Sequence, residues 1–99
     1  MATFIALISE TQFGEENIYD SVVRAERFKE RAEKRGIKVK SQYWTTGPYD
    51  GVLVLEAPDA QSVSALLLSL AAGGAVRTQT YQAFDSDEMR AILGRSQES

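Results

Sequence analysis

The segment Ile37-Lys38-Val39-Lys40-Ser41-Gln42-Tyr43-Trp44-Thr45-Thr46-Gly47-Pro48-Tyr49-Asp50-Gly51-Val52-Leu53-Val54-Leu55 decides the fold. Its first part alternates, with Ile37, Val39, Ser41 and Tyr43 on one side and Lys38, Lys40, Gln42 and Trp44 on the other. A period of two is that of an extended strand with one drier face. Thr46-Gly47-Pro48-Tyr49-Asp50 then interrupts, because adjacent Gly and Pro favour a turn. Val52-Leu53-Val54-Leu55 is apolar on both sides, the pattern of a central strand. Two extended runs around one turn predict a hairpin in the middle of the chain.

Outward from this hairpin the chain shows one strand and one helix on each side. Phe4–Ile8 is a short apolar run that predicts a strand buried on both faces. From about Glu15 the period lengthens, and Ile18, Val22, Ala25, Phe28 and Ala32 fall on one helical stripe that Gly36 terminates. Beyond the hairpin, Asp59 is a helix N-cap, Val63, Leu66, Leu67 and Leu70 form an inner stripe, and Gly73-Gly74 stops it. Val76–Phe84 is the last strand. Asp85 or Ser86 caps a short helix holding Met89, Ile92 and Leu93, which Gly94 ends. The order βαββαβ plus a helix predicts an α+β, ferredoxin-like domain with a four-stranded antiparallel sheet over residues 1–94, and a flexible tail over 95–99.

In this arrangement both helices cover one face of the sheet. Phe4, Ile8, Trp44, Tyr81 and one side of Val52–Leu55 are then expected on the bare face in some combination. Such a patch is rare on a monomer, and an identical sheet is the simplest cover. The expected partner is therefore a second copy.

Composition narrows the chemistry. Ninety-nine residues support one core, and 43% hydrophobic with 25% charged residues is an ordinary globular balance. Net charge is −3, and the basic residues of Arg24–Lys40 are interleaved with Glu26, Glu30 and Glu33. That is a solvated helix face rather than a nucleic-acid footprint. With neither Cys nor His, the chain supplies no thiolate, disulfide, Ser-His-Asp triad or usual zinc site. No cofactor and no metal are expected. The apolar N-terminal run has no basic residue before it and is cut short by Glu10, so neither a signal peptide nor a membrane span is expected, and the chain reads as cytoplasmic.

Trp44-Thr45-Thr46-Gly47-Pro48-Tyr49-Asp50, followed by Leu53-Val54-Leu55-Glu56-Ala57-Pro58-Asp59, resembles the GYD domain family, whose Gly, Tyr and Asp stand here as Gly47-x-Tyr49-Asp50. The resemblance extends to Met1–Ile8, Arg24-Ala25-Glu26, Val76–Thr80 and Ala83-Phe84. It implies a dimeric α/β barrel and implies no activity. The acidic Ser9–Asn17 segment, with Glu10, Glu15 and Glu16, is where this chain departs from it.

The candidate ligand-binding residues are Tyr43, Trp44, Tyr49, Asp50, Arg77, Gln79 and Tyr81. Asp50 is either a carboxylate at a pocket mouth, with Tyr49 as its wall, or an acceptor of turn amides. Adjacent Tyr43 and Trp44 face opposite sides of the sheet, one toward the helices and the other toward a dimer interface or cavity. Arg77, Gln79 and Tyr81 share a face of the last strand, where Arg77 is an anion-binding group, a partner of Asp50, or a solvated edge charge. Glu10, Glu15, Glu16 and Asp20 either gather a cation or complement a helix dipole. The preferred function is a homodimeric small-molecule-binding or regulatory module. The alternatives are a cofactor-independent oxygenase or isomerase acting on a small aromatic substrate, by analogy with similar barrels, and a purely structural dimer.

Overall fold

The computed structural model describes residues 1–98. Strand β1 spans Ala2–Glu10, β2 Lys38–Trp44, β3 Gly51–Ala57 and β4 Val76–Ala83. They form one sheet in the order β2-β3-β1-β4, every neighbouring pair antiparallel. Between β1 and β2 lie a short helix α1 (Gln12–Glu16), a 3-10 turn (Ile18–Asp20) and helix α2 (Ser21–Lys34). Helix α3 (Ala60–Ala71) joins β3 to β4, and α4 (Ser86–Ser96) follows β4. This is the expected α+β, ferredoxin-like arrangement.

The elements begin and end where local chemistry requires. Asp59 accepts the Ser62 amide at 2.8 Å and opens α3. Asp85 and Glu88 form a reciprocal capping box that opens α4. At the end of α2, Gly36 adopts φ +72°. This left-handed residue lets Gly36 N–H donate to the Glu33 carbonyl at 3.1 Å and Ile37 N–H to Ala32 at 2.9 Å. The two bonds satisfy carbonyls that the helix end leaves open. They also turn Ile37 into the core, where it is 1% exposed.

One face of the sheet packs on α2 and α3. Phe4, Ala6, Leu53, Leu55 and Ala57 from the strands meet Phe28, Ala32, Val63, Leu66 and Leu67 from the helices. Among the described residues, no polar or charged residue is fully buried in this layer, so apolar burial and close packing hold it together. The opposite face carries Ile5 and Leu7 of β1, Val52 and Val54 of β3, Ser41 and Tyr43 of β2, and Gln79 and Tyr81 of β4, as the strand register dictates.

Several positions differ from the sequence reading. Phe4 lies in the helix-side core rather than on the bare face. Ile18 and Val22 are exposed: Ile18 belongs to the 3-10 segment that precedes α2, and Val22, in the first turn of α2, faces away from the core. The alternation of β2 is broken by a bulge between Val39 and Ser41. Val39 pairs with Leu55 on the helix side, whereas Ser41 and Tyr43 pair with Val54 and Val52 on the open side. The extra residue, Lys40, shifts the face of everything after it. Helix α4 runs through Gly94 to Ser96 with every residue exposed. Of the expected 95–99 tail, residue 99 lies outside the described residues. No helix among the described residues is long and apolar enough to cross a membrane.

Candidate functional site

Strand β1 ends in a corner tied at three points. Thr11 N–H donates to the Ala75 carbonyl at 2.9 Å, its hydroxyl donates to the Gly74 carbonyl at 2.5 Å, and its side-chain oxygen accepts the Gly14 amide at 3.1 Å. Gly14 is buried here, and a Cβ on it would collide with both the Ala75 carbonyl oxygen and Glu10 Oε2. Only glycine fits between these two oxygens.

This corner sets Glu10 against Arg24 of α2. The Glu10 side chain is 9% exposed and its Oε2 lies 3.6 Å from Arg24 Nη1. That is an ion pair without a hydrogen bond. The guanidinium is held on its other side, where Nη2 donates to the Asn17 carbonyl at 3.3 Å. Glu10 Oε2 and Arg24 Nε are both buried without a hydrogen-bond partner. Asp50 completes the group. Its Oδ2 accepts the Glu10 amide at 2.8 Å, and its own amide donates to the Ile8 carbonyl at 2.8 Å.

Glu10, Arg24 and Asp50 border a cleft of about 60 Å³ between the end of the sheet and α2. Phe28 and Leu70 contribute its apolar wall, and Trp44, 52% exposed, stands at its rim. Trp44 reaches this side because it pairs with Gly51 on the helix face.

The candidate residues fall on two sides of the sheet. Trp44 and Asp50 belong to the cleft. Tyr49 lies by the open face, where its hydroxyl donates to Gln79 Oε1 at 2.7 Å. Gln79 sits opposite Leu7, Tyr81 opposite Ile5 and Arg77 opposite Ser9. Tyr43 projects on the open side opposite Val52 and also borders the cleft. Tyr43 and Trp44 do face opposite ways, yet both are more than half exposed and neither joins the core. Asp50 and Arg77 are not brought together; the carboxylate of Asp50 takes the Glu10 amide instead. Among the described residues, no group of three acidic side chains is placed to hold a metal ion. Glu10 pairs with Arg24 instead.

Arg24 is not among the candidates read from the sequence, where it counts as part of a solvated face. A signal existed: Arg24, Phe28 and Ala32 are spaced by four, so Arg24 continues the buried stripe toward the sheet end.

A four-stranded antiparallel sheet with two helices on one face, a half-polar cleft at one end and an apolar open side defines a ferredoxin-like domain. The GYD domain model matches residues 4–93, and the chain belongs to the GYD domain family. A protein of Thermus thermophilus, named glutamine synthetase and cystathionine beta-lyase binding protein, is 37% identical over 94 residues, covering 94% of this chain and 99% of that protein. Among solved structures, the feast or famine regulatory protein of M. tuberculosis, complexed with L-methionine, superposes with a TM-score of 0.65 at 20% identity. That match covers 87% of this chain and 52% of the regulator, so the chain spans about half of its length. A second solved structure, from Thermus thermophilus, superposes with a TM-score of 0.57 at 24% identity, covering 87% of this chain and 96% of that one. These structural likenesses concern the fold.

Proposed function

We propose that this chain is a regulatory binding module that pairs with a second copy across its open sheet face and, as that pair, docks on a metabolic enzyme. The observation that carries the reading is the open face itself. Ile5, Leu7, Val52 and Val54 form its centre, and Tyr43 and Tyr81, 62% and 53% exposed, flank it. A compact monomer of this mass exposes about 5,600 Å², whereas this chain exposes 6799 Å². The surplus, about 1,200 Å², exceeds the ~800 Å² that each partner contributes to a standard interface. The radius of gyration, 15.1 Å, likewise exceeds the ~13 Å of a compact chain of this length. Exposed α4 contributes to both differences.

A second copy suits this face because a two-fold axis sets the same apolar centre and aromatic rim against itself. The enzyme-docking half is supported by the 37% identical relative, which is named for binding glutamine synthetase and cystathionine beta-lyase and is matched over 99% of its length. The small-molecule half of the expectation rests on the cleft beside Arg24.

Sedimentation of the purified chain, alone and then with purified glutamine synthetase or cystathionine beta-lyase, tests the reading. A species of twice 10.9 kDa that co-sediments with either enzyme is the expected result. A monomer at micromolar concentration overturns the pairing, and a dimer that sediments apart from both enzymes overturns the docking.

A further inference from the structure

We propose that α4 is an exchanged arm, which packs its apolar stripe of Met89, Ile92 and Leu93 on the Ile18, Tyr19, Val22 and Val23 surface of a second copy. The inference rests on the pairing reading above and adds to it where the last helix of each copy goes.

Helix α4 is built to form, yet its own chain gives it nothing to pack on. Asp85 and Glu88 close its first turn with a reciprocal capping box. Ile92 and Leu93 stand three and four residues after Met89, so the three share one side of the helix. Every residue of α4 is nevertheless exposed. Isolated helices shorter than about 12–15 residues are marginal in water, and packing of an apolar side normally supplies the rest of their stability. An eleven-residue helix with such a side therefore calls for a partner surface.

A second uncovered apolar surface lies at the other end of the sheet. Ile18, Tyr19, Val22 and Val23 recur at spacings of three and four from the 3-10 turn into α2, and all four are exposed, Tyr19 at 98%. The two surfaces are kept apart within one chain. Ala83, just before α4, pairs with Thr3 at the start of β1, whereas the 11–20 segment follows the end of β1. The nine residues of β1 put about 30 Å between those ends. The molecule measures 53 Å along its longest axis, so α4 runs past the sheet rather than back along it.

Two copies remove the separation. A two-fold axis lying between the open faces and across the strands reverses the strand direction of one copy relative to the other. It sets the end of β4 in each copy over the end of β1 in the other, and α4 then reaches the other copy's apolar surface, twice over. Charge agrees with this match. Glu88 is engaged in the capping box and Asp87 holds Arg90 at 2.7 Å, so Arg95 is the charge that α4 presents outward. The receiving surface is bordered by Glu15, Glu16 and Asp20, all exposed.

The chain has no cysteine, so introduced thiols report which surfaces meet. Full chains carrying Tyr19→Cys, Ile92→Cys or both are oxidised at micromolar concentration and compared on non-reducing gels, and the sedimentation of the unaltered chain is measured alongside. A covalent species of twice 10.9 kDa from the double variant alone is the expected result. A covalent pair from either single variant sets like against like and overturns the proposal. A bridge within one chain also overturns it, since a disulfide needs Cα atoms within about 7 Å. If the unaltered chain sediments as a dimer and no covalent pair forms, the arm is overturned and the pairing stands. If it sediments as a monomer, pairing and arm fall together. Leu93→Glu gives a second readout at an exposed position that leaves the core intact. It is expected to weaken pairing about tenfold or more and to raise amide hydrogen exchange in α4 by a similar factor, with β1 and β3 unchanged. Unaltered pairing and exchange in that variant overturn the arm.

Discussion

Asp50 Oδ2 accepts the main-chain amide of Glu10 at 2.8 Å, across forty residues of sequence. The Asp50 amide in turn donates to the Ile8 carbonyl at 2.8 Å, so the residue continues the hydrogen-bonding of β1 past the end of β3. The aspartate of the Gly-x-Tyr-Asp motif thereby fixes where Glu10, and with it the mouth of the cleft, is held.

Replacing Asp50 tests that role. Asp50→Ala leaves the Glu10 amide without its acceptor and is expected to cost about 1–2 kcal/mol, the range for losing a side-chain cap. For a domain of this size that lowers the melting temperature by about 4–8 °C per kcal/mol. Asp50→Asn keeps an acceptor oxygen and is expected to lose less. Thermal unfolding of the three proteins distinguishes them, and equal melting temperatures would remove the cap from the account.

Two glycines give opposite expectations. A Cβ at Gly14 would collide with two oxygens, and Gly14→Ala is expected to destabilise by about 1–3 kcal/mol or more through overpacking. At Gly94 nothing lies within 4 Å, and the residue sits inside exposed α4. Gly94→Ala is expected to favour helix by up to about 1 kcal/mol. Urea titration reads the first and far-ultraviolet circular dichroism the second.

Pairing through the open face is tested at its centre. Leu7→Glu places a charge between Val52 and Gln79 without touching the helix-side core. A folded monomer is the expected product, read as half the native mass with an unchanged circular dichroism spectrum. A dimer that survives this change would place the interface elsewhere.

Acid sensitivity has one assigned contributor. The backbone and side chain of Ser62 hydrogen-bond to the Asp59 carboxylate and hold its pKa below the ordinary 3.8. A depressed folded value means the stabilisation is present above the unfolded pKa and is lost as pH falls through the folded one. Asp59→Asn is therefore expected to lower stability slightly in the neutral region, where the carboxylate contribution is present, and to converge with the unaltered chain as pH falls below about 4. Urea midpoints across that range check it.

The sequence made the element order, the Asp59 cap, the Gly36 terminator and the α3 stripe legible because each depends on near neighbours or on a period. It misplaced what depends on a single insertion or a distant contact. The bulge at Lys40 carries no periodic signal, so Ser41 and Tyr43 moved to the other face unannounced. The start of α2 was placed too early, since Ile18 fits the stripe by spacing although it lies in the 3-10 segment before the helix. Asp50 and Trp44 were legible as candidates. Their neighbours were read otherwise, Glu10 within an acidic group and Arg24 on a solvated face, because an ion pair fourteen residues apart in sequence is drawn together by a corner that no local pattern encodes.

The bulge on β2 has a bearing on how copies of the chain meet. β2 is an outer strand of the sheet, and its irregularity, with Lys40 as the unpaired residue and Lys38 nearby, spoils that rim as a template for strand addition. Association side by side would run on without limit, each sheet lengthening the next. Association face to face about a two-fold axis consumes the sticky surface at once and stops at two. A single surplus lysine thus disfavours strand addition at this rim, which is compatible with the closed pair proposed above.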